Sequence, residues 1–221
     1  MTGDACYYGH WNSNLPLSLG WVTNPILSHH LEQPSLKDLE DRRSTKLVRL
    51  GIPSWSSASV TIQVFFLRSC DQSDVTIHLC DWKVDDQSGI LSVCAYCAAV
   101  PYIAVPRDDD EKKCFNPFYE YNLQDVSMFY FPKFHQSPLV QVMKWRQNSE
   151  SDNYDAIGLA LLDEPETTSD GIYTVLLFTI RGRMVVLLVR AMRDEGLKSN
   201  CFRRVGAGLV ATRALFFVQR T

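Results

Sequence analysis

After Leu47, apolar and polar positions alternate with a period of two through several segments, the mark of strands that bury one face. Val75 to Trp82 sets Val75, Ile77, Leu79 and Asp81 on one side. Val60 to Leu67 is β-branched and aromatic, the composition that strands favour. Gly89 opens a long apolar run, Ile90 to Val100, which Pro101 closes. Ile157–Leu162 predicts a short strand ending in a turn at Asp163-Glu164-Pro165. Tyr173–Ile180 and Met184–Arg190 predict a hairpin joined by Arg181-Gly182-Arg183, where Gly182-Arg183 suits a type II′ turn. Phe202–Val210 and Ala214–Val218 predict one or two further strands.

Ahead of this region the pattern differs. Asp4 to Leu15 predicts a short helix capped by Asp4 and ended by Pro16, because the residue before proline avoids helical geometry. Leu17 to Val22 then runs extended and buries Leu17, Leu19 and Trp21. His29 to Arg43 is polar and charge-dense, a solvated connection. The expected fold is mainly β, an antiparallel sandwich or distorted barrel with a short N-terminal helical segment. It divides into a helical and extended segment with its linker, residues 1–46, and a β-rich domain, residues 47–221.

Composition narrows the function classes. With 221 residues, 46% hydrophobic and 21% charged, the chain can build a real core. A net charge of −3 argues against a general binder of nucleic acid or anionic membrane. The charge is uneven: residues 171–221 carry nine basic and two acidic side chains. The apolar run Met184–Val189 falls far short of the roughly 20 residues of a membrane span. The N-terminus lacks the basic and apolar regions of a secretion signal, so the expected location is cytoplasmic, with the nucleus also open. Seven cysteines, an odd number, predict reduced and mostly buried thiols.

The candidate chemistry is thin. Cys94-Ala95-Tyr96-Cys97 has the spacing of a metal or redox motif, and His78 and Cys80 lie upstream. On one continuous strand, side chains three apart face opposite ways, so Cys94 and Cys97 diverge and neither zinc nor a bridge is expected. A hydrolase reading would draw on Ser54 to Ser59, which lack the nucleophile-elbow glycines. Asp108 to Glu111 lacks the spaced ligands of a calcium loop, and Val205-Gly206-Ala207-Gly208 lacks a dinucleotide fingerprint. Catalytic, cofactor and metal sites are therefore expected to be absent. Arg181, Arg183, Arg203 and Arg204, with Arg190 and Arg193, form a basic set that would meet an acidic partner, or else face the acidic body of the same chain. The aromatic stretch Phe115–Phe134 is a second candidate surface, or a loop packed on the core.

Three stretches resemble one family. Tyr8-Gly9-His10-Trp11 with Leu15-Pro16-Leu17 and Leu19-Gly20-Trp21 looks like the "AGLW…DLP…LLW" segment that follows the heterokaryon incompatibility (HET) domain of fungal proteins. Ile52 to Val60 resembles their "APSWSWASVDG" motif, with Ser57 in place of its second tryptophan and Thr61-Ile62 where Asp-Gly usually follows. Cys201 to Gly208 resembles their closing "YRRVGxG" strand. Ser88 to Val93 sits where the family has a glycine-led strand, and Val185–Arg190 where it has another. The resemblance covers almost the whole chain but only the family's C-terminal region, and motifs of the HET domain itself have no counterpart. It implies a truncated or split member without the effector domain, acting in self/non-self recognition as a non-enzymatic accessory module. It further implies association with a full-length HET-domain protein or another protein. The alternatives are a small cytosolic enzyme built around Cys94/Cys97 or Ser54–Ser59, and an inactive gene remnant. In this reading Trp11, Trp21, Pro53, Trp55 and Gly206 are structural: Pro53 starts a strand and Trp55 buries its ring beneath the sheet.

Overall fold

The computed structural model describes residues 4–23, 51–60, 64–67, 75–99, 103–104, 140–146, 154–163, 170–180, 183–192 and 201–211. Arg181, Gly182 and Arg193, the connection 29–43, the charged loop 107–113, the aromatic stretch 115–134 and the strand expected over 214–218 lie outside these residues.

The N-terminal segment departs from the expected helix. Strands β1 (Cys6–Tyr7) and β2 (His10–Trp11) form a small hairpin, with Tyr7 opposite His10. Its two turn residues, Tyr8 and Gly9, have φ of 48° and 87°, the left-handed pair that a tight hairpin turn needs. A 3-10 turn over Asn12–Asn14 leads into the helix α1 (Leu15–Ser18). Pro16 stands in the first turn of α1 instead of ending a helix, since its missing N–H has no helical partner there anyway. All four residues of α1 are buried. Strand β3 (Trp21–Thr23) follows and pairs with β4 (Val64–Phe66).

Two expected strands are each broken in two. Val75 to Trp82 becomes β5 (Val75–Ile77) and the start of β6 (Asp81–Asp85). Ile90 to Val100 becomes β7 (Ile90–Cys94) and β8 (Cys97–Ala99). The short β9 (Ile103–Ala104) follows, then β10 (Val140–Arg146), which has no counterpart among the expected elements. The long strands β11 (Tyr154–Leu162), β12 (Ile172–Ile180), β13 (Arg183–Ala191) and β14 (Phe202–Ala211) complete the described fold. β12 and β13 form the expected hairpin.

The chain is mainly antiparallel β-sheet with one short helix among the described residues. Eight strands make the main sheet, in the order β5-β12-β13-β14-β11-β10-β9. β8 joins the same edge of β12 as β5, so two short strands share one long neighbour. Between them the chain leaves this sheet and forms the separate hairpin β6–β7. The breaks keep their bonds: His78 N–H donates to Leu177 O (2.9 Å), and Leu176 N–H donates to Tyr96 O (3.0 Å). No hydrogen-bonded pair closes the main sheet among the described residues.

Both faces of the main sheet are apolar. On β13, Val185, Leu187 and Val189 face one cluster, and Met184, Val186 and Leu188 the other. The first cluster is completed by Leu15, Leu17, Leu19, Val22 and Trp55 from the N-terminal half. The second draws its described members from β10 to β14 alone. Gly206 explains how β14 lies against β11: a Cβ there would strike the Leu161 carbonyl. Only glycine permits that approach.

Candidate functional site

The three segments that carry the family resemblance meet on the first face of the main sheet. Their centre is Arg204. On β14, Arg204 pairs with Val189 while Gly206 pairs with Leu188, so Val205 is an extra residue, a β-bulge. The bulge reverses the alternation. Val205 joins the second cluster, and Ala207 and Leu209 join the first. Arg204 therefore points into the first face, where strict alternation from Ala207 would have put Val205.

There the Arg204 guanidinium is 1% exposed and forms an ion pair with Asp163, Nε to Oδ2 at 3.0 Å. Nη1 donates to Leu19 O (2.8 Å), and Nη2 donates to Trp21 O. Its Cζ lies 3.5 Å from the centroid of the Trp21 ring, a cation–π contact. The backbone N–H of Arg204 donates to Ser54 Oγ (3.3 Å). Burial pulls the guanidinium below its ordinary pKa, and the Asp163 carboxylate opposes that pull. The expectation that Arg204 belongs to a partner-binding surface is corrected here: its donors are spent within the chain. Arg203 is exposed, and Arg183 is half-buried at the far end of β13. Arg183 pairs with Ala211 and Arg203 with Arg190, seven residues or about 23 Å apart along β13. These described arginines do not form one patch.

The tryptophan motif bonds to the same centre. Trp21 Nε1–H donates to Trp55 O (2.9 Å), and Trp55 Nε1–H donates to Gly89 O (2.9 Å). Trp55 is 8% exposed, with Tyr8 packed edge-on at 5.6 Å and His10 tilted at 5.6 Å. Pro53 does not start a strand. Its carbonyl accepts from Ser56 N–H (3.0 Å), and Ser57–Ser59 form a 3-10 turn capped by Ser56 Oγ, which accepts from Ala58 N–H. Proline's fixed φ suits this turn as well as it suits a strand. Ser56 Oγ–H also donates to Tyr8 O (2.7 Å), and Tyr8 O–H to Asp86 O (3.2 Å), which anchors the left-handed Tyr8. Trp11 departs from its group: it is 57% exposed.

His10 and Ser18 are the one buried nucleophile-and-base arrangement among the described residues, 2.7 Å apart. Its polarity is wrong for catalysis. Ser57 N–H donates to His10 Nε2 (3.2 Å), so the ring proton sits on Nδ1 and is donated to Ser18 Oγ. Ser18 Oγ–H in turn donates to Leu15 O (3.0 Å). A base that already carries the proton on the facing nitrogen cannot accept the serine's. Burial, and then the positive charge of Arg204, lower the His10 pKa to about 4.

No known family model, curated protein or solved structure matches this chain.

The cysteines overturn a sequence expectation. Cys6, Cys80, Cys94 and Cys97 are exposed and Cys201 is half-buried, all as free thiols. Cys94 and Cys97 do not share a strand, because the break at Ala95-Tyr96 puts one in the β6–β7 hairpin and the other beside β12. Nearby protein atoms push the Cys97 thiol up, the wrong direction for a reactive thiolate. No group of three or more His, Cys, Asp or Glu side chains is placed to hold a metal ion among the described residues. No described helix is long and apolar enough to cross a membrane.

Proposed function

We propose that this chain is a non-enzymatic interaction module of the heterokaryon-incompatibility type, corresponding to the region downstream of a HET domain and residing in the cytoplasm of a fungus. One observation carries the reading. The three resembling segments, far apart in sequence, bond to one another through Trp21, Trp55, Ser54 and Arg204. Motifs that meet in space as one bonded unit support a shared fold better than three independent matches would. The bonding also assigns the motifs to architecture, which favours binding over chemistry. We further read the main sheet as part of a distorted barrel, which a second apolar cluster drawn from its own strands supports.

Within this reading the exposed Arg203 is the described member of the basic set that remains available to an acidic partner. The test is co-expression in a fungal host with a full-length HET-domain protein. The expected result is co-purification of the two proteins, weakened by Arg203→Glu with the fold intact, and no cell death from this chain alone. Death caused by this chain alone, or failure to associate with any such relative, would contradict the proposal.

A further inference from the structure

The root of the β6–β7 hairpin holds an arrangement the sequence does not disclose. Asp81 pairs with Cys94 at the end of the ladder, and the N–H of Cys80 also donates to Cys94 O at 2.8 Å. Cys80, just outside β6, and Asp81 thus both face Cys94, as the two residues of a β-bulge face one. Such a bulge interrupts the alternation and turns its two residues toward the same side as the residue they face. That side is the outer one: Asp81, Lys83, Ser92 and Cys94 are exposed, while Val84 and Leu91 pack toward the core. Cys80 is exposed as well. A direct N–H···O bond of 2.8 Å holds their Cα atoms within about 7 Å of each other. A disulfide spans about 4.4–6.8 Å between Cα atoms.

We propose that Cys80 and Cys94 are a redox-sensitive pair that a disulfide oxidant of the glutathione type converts to an intramolecular disulfide. The thiolate of one cysteine attacks glutathione disulfide, forms a mixed disulfide and releases one glutathione thiolate. The thiolate of the second cysteine then attacks the protein sulfur and releases the other glutathione. Both protein thiols lose their protons and together give up two electrons, which reduce the glutathione disulfide to two thiols. Only side-chain rotation is needed: both residues are exposed on backbone that already meets, and the Cys80 thiol leaves the His78 carbonyl, to which it donates at 3.8 Å. The neighbouring Cys97 is poorly placed to compete, because it belongs to the other sheet. The product pins the hairpin at the point where the chain leaves the main sheet.

The experiment uses the full chain, oxidised with glutathione disulfide, alkylated and digested with trypsin. Cleavage after Lys83 separates the two cysteines into different peptides, whereas Cys94 and Cys97 share one and Cys70 shares that of Cys80, so fragment ions of the linked peptides assign the bridged sulfurs. The expected product is lighter by two hydrogen atoms and carries a cross-link between those peptides. The cross-link is lost in Cys80→Ser and in Cys94→Ser and kept in Cys97→Ser. A bridge from Cys94 to Cys97, stable mixed disulfides on both cysteines, or no oxidation at all would overturn the proposal. Each of these results is read on the unsubstituted protein, so none depends on how a variant folds.

Discussion

Arg204 is a charge that folding removed from water, and it stays tolerable only because Asp163 and two carbonyls surround it. Removing one partner of such a pair leaves an uncompensated buried charge. Asp163→Ala is therefore expected to cost about 3–5 kcal/mol in urea unfolding. Combining it with Arg204→Met is expected to recover much of that loss. His10 gives the molecule a pH signature. Its folded pKa of about 4 lies below its ordinary 6.5, so the unfolded chain takes up the proton first as pH falls. The stabilisation is whole above about pH 6.5 and is lost as pH drops toward 4. After a discount for solvent screening the loss is about 2 kcal/mol. Denaturant midpoints across this range should fall in the parent and stay flatter in His10→Gln. Little of this was legible beforehand. Arg203-Arg204 reads as two surface charges, and the bulge that sends one inward leaves no trace in composition. Asp163 reads as a turn residue, and nothing in its neighbourhood announces a counter-charge on a strand 41 residues away.

At the level of elements, legibility followed the strength of the pattern. The hairpin β12–β13 and the strand β14 were foreseen because long apolar runs end in turn residues. The splitting of β5 from β6 and of β7 from β8 was not, because alternation runs on through the first break and an apolar run through the second. Leu79 sits inside one break and is buried all the same. The N-terminal hairpin was missed because Tyr8 takes a left-handed φ that a bulky residue rarely adopts. Gly206, in contrast, was singled out from sequence, and its packing supplies the reason. Gly206→Ala should force β14 away from β11. An overpacking cost of about 1–3 kcal/mol corresponds to a Tm lower by about 2–12 °C for a chain of this size. A thermal scan that shows no drop would mean that the two strands are not held as closely as described.

On the scale of the whole molecule, the N-terminal segment is a structural layer of the β region. Leu15, Leu17, Leu19 and Val22 cover one face of the main sheet. Each is worth about 1.5–3 kcal/mol of burial. Together they rival the roughly 5–15 kcal/mol that holds a typical domain folded. Deleting residues 1–23 is expected to abolish cooperative unfolding, which calorimetry would register as the loss of a single sharp transition. The bonds at Arg204 also set an order of events in the cell. Trp21 O and its arginine donor are 183 residues apart in the chain. At about 5–20 residues per second, a ribosome takes roughly 10–40 s to make the stretch between them. Throughout that interval the apolar N-terminal layer is already outside and its partner strand does not yet exist. Contacts between such distant residues also form slowly once both are present. The newborn chain is therefore expected to carry exposed apolar surface until its last described strand emerges, which aggregation of nascent protein when holding chaperones are scarce would register.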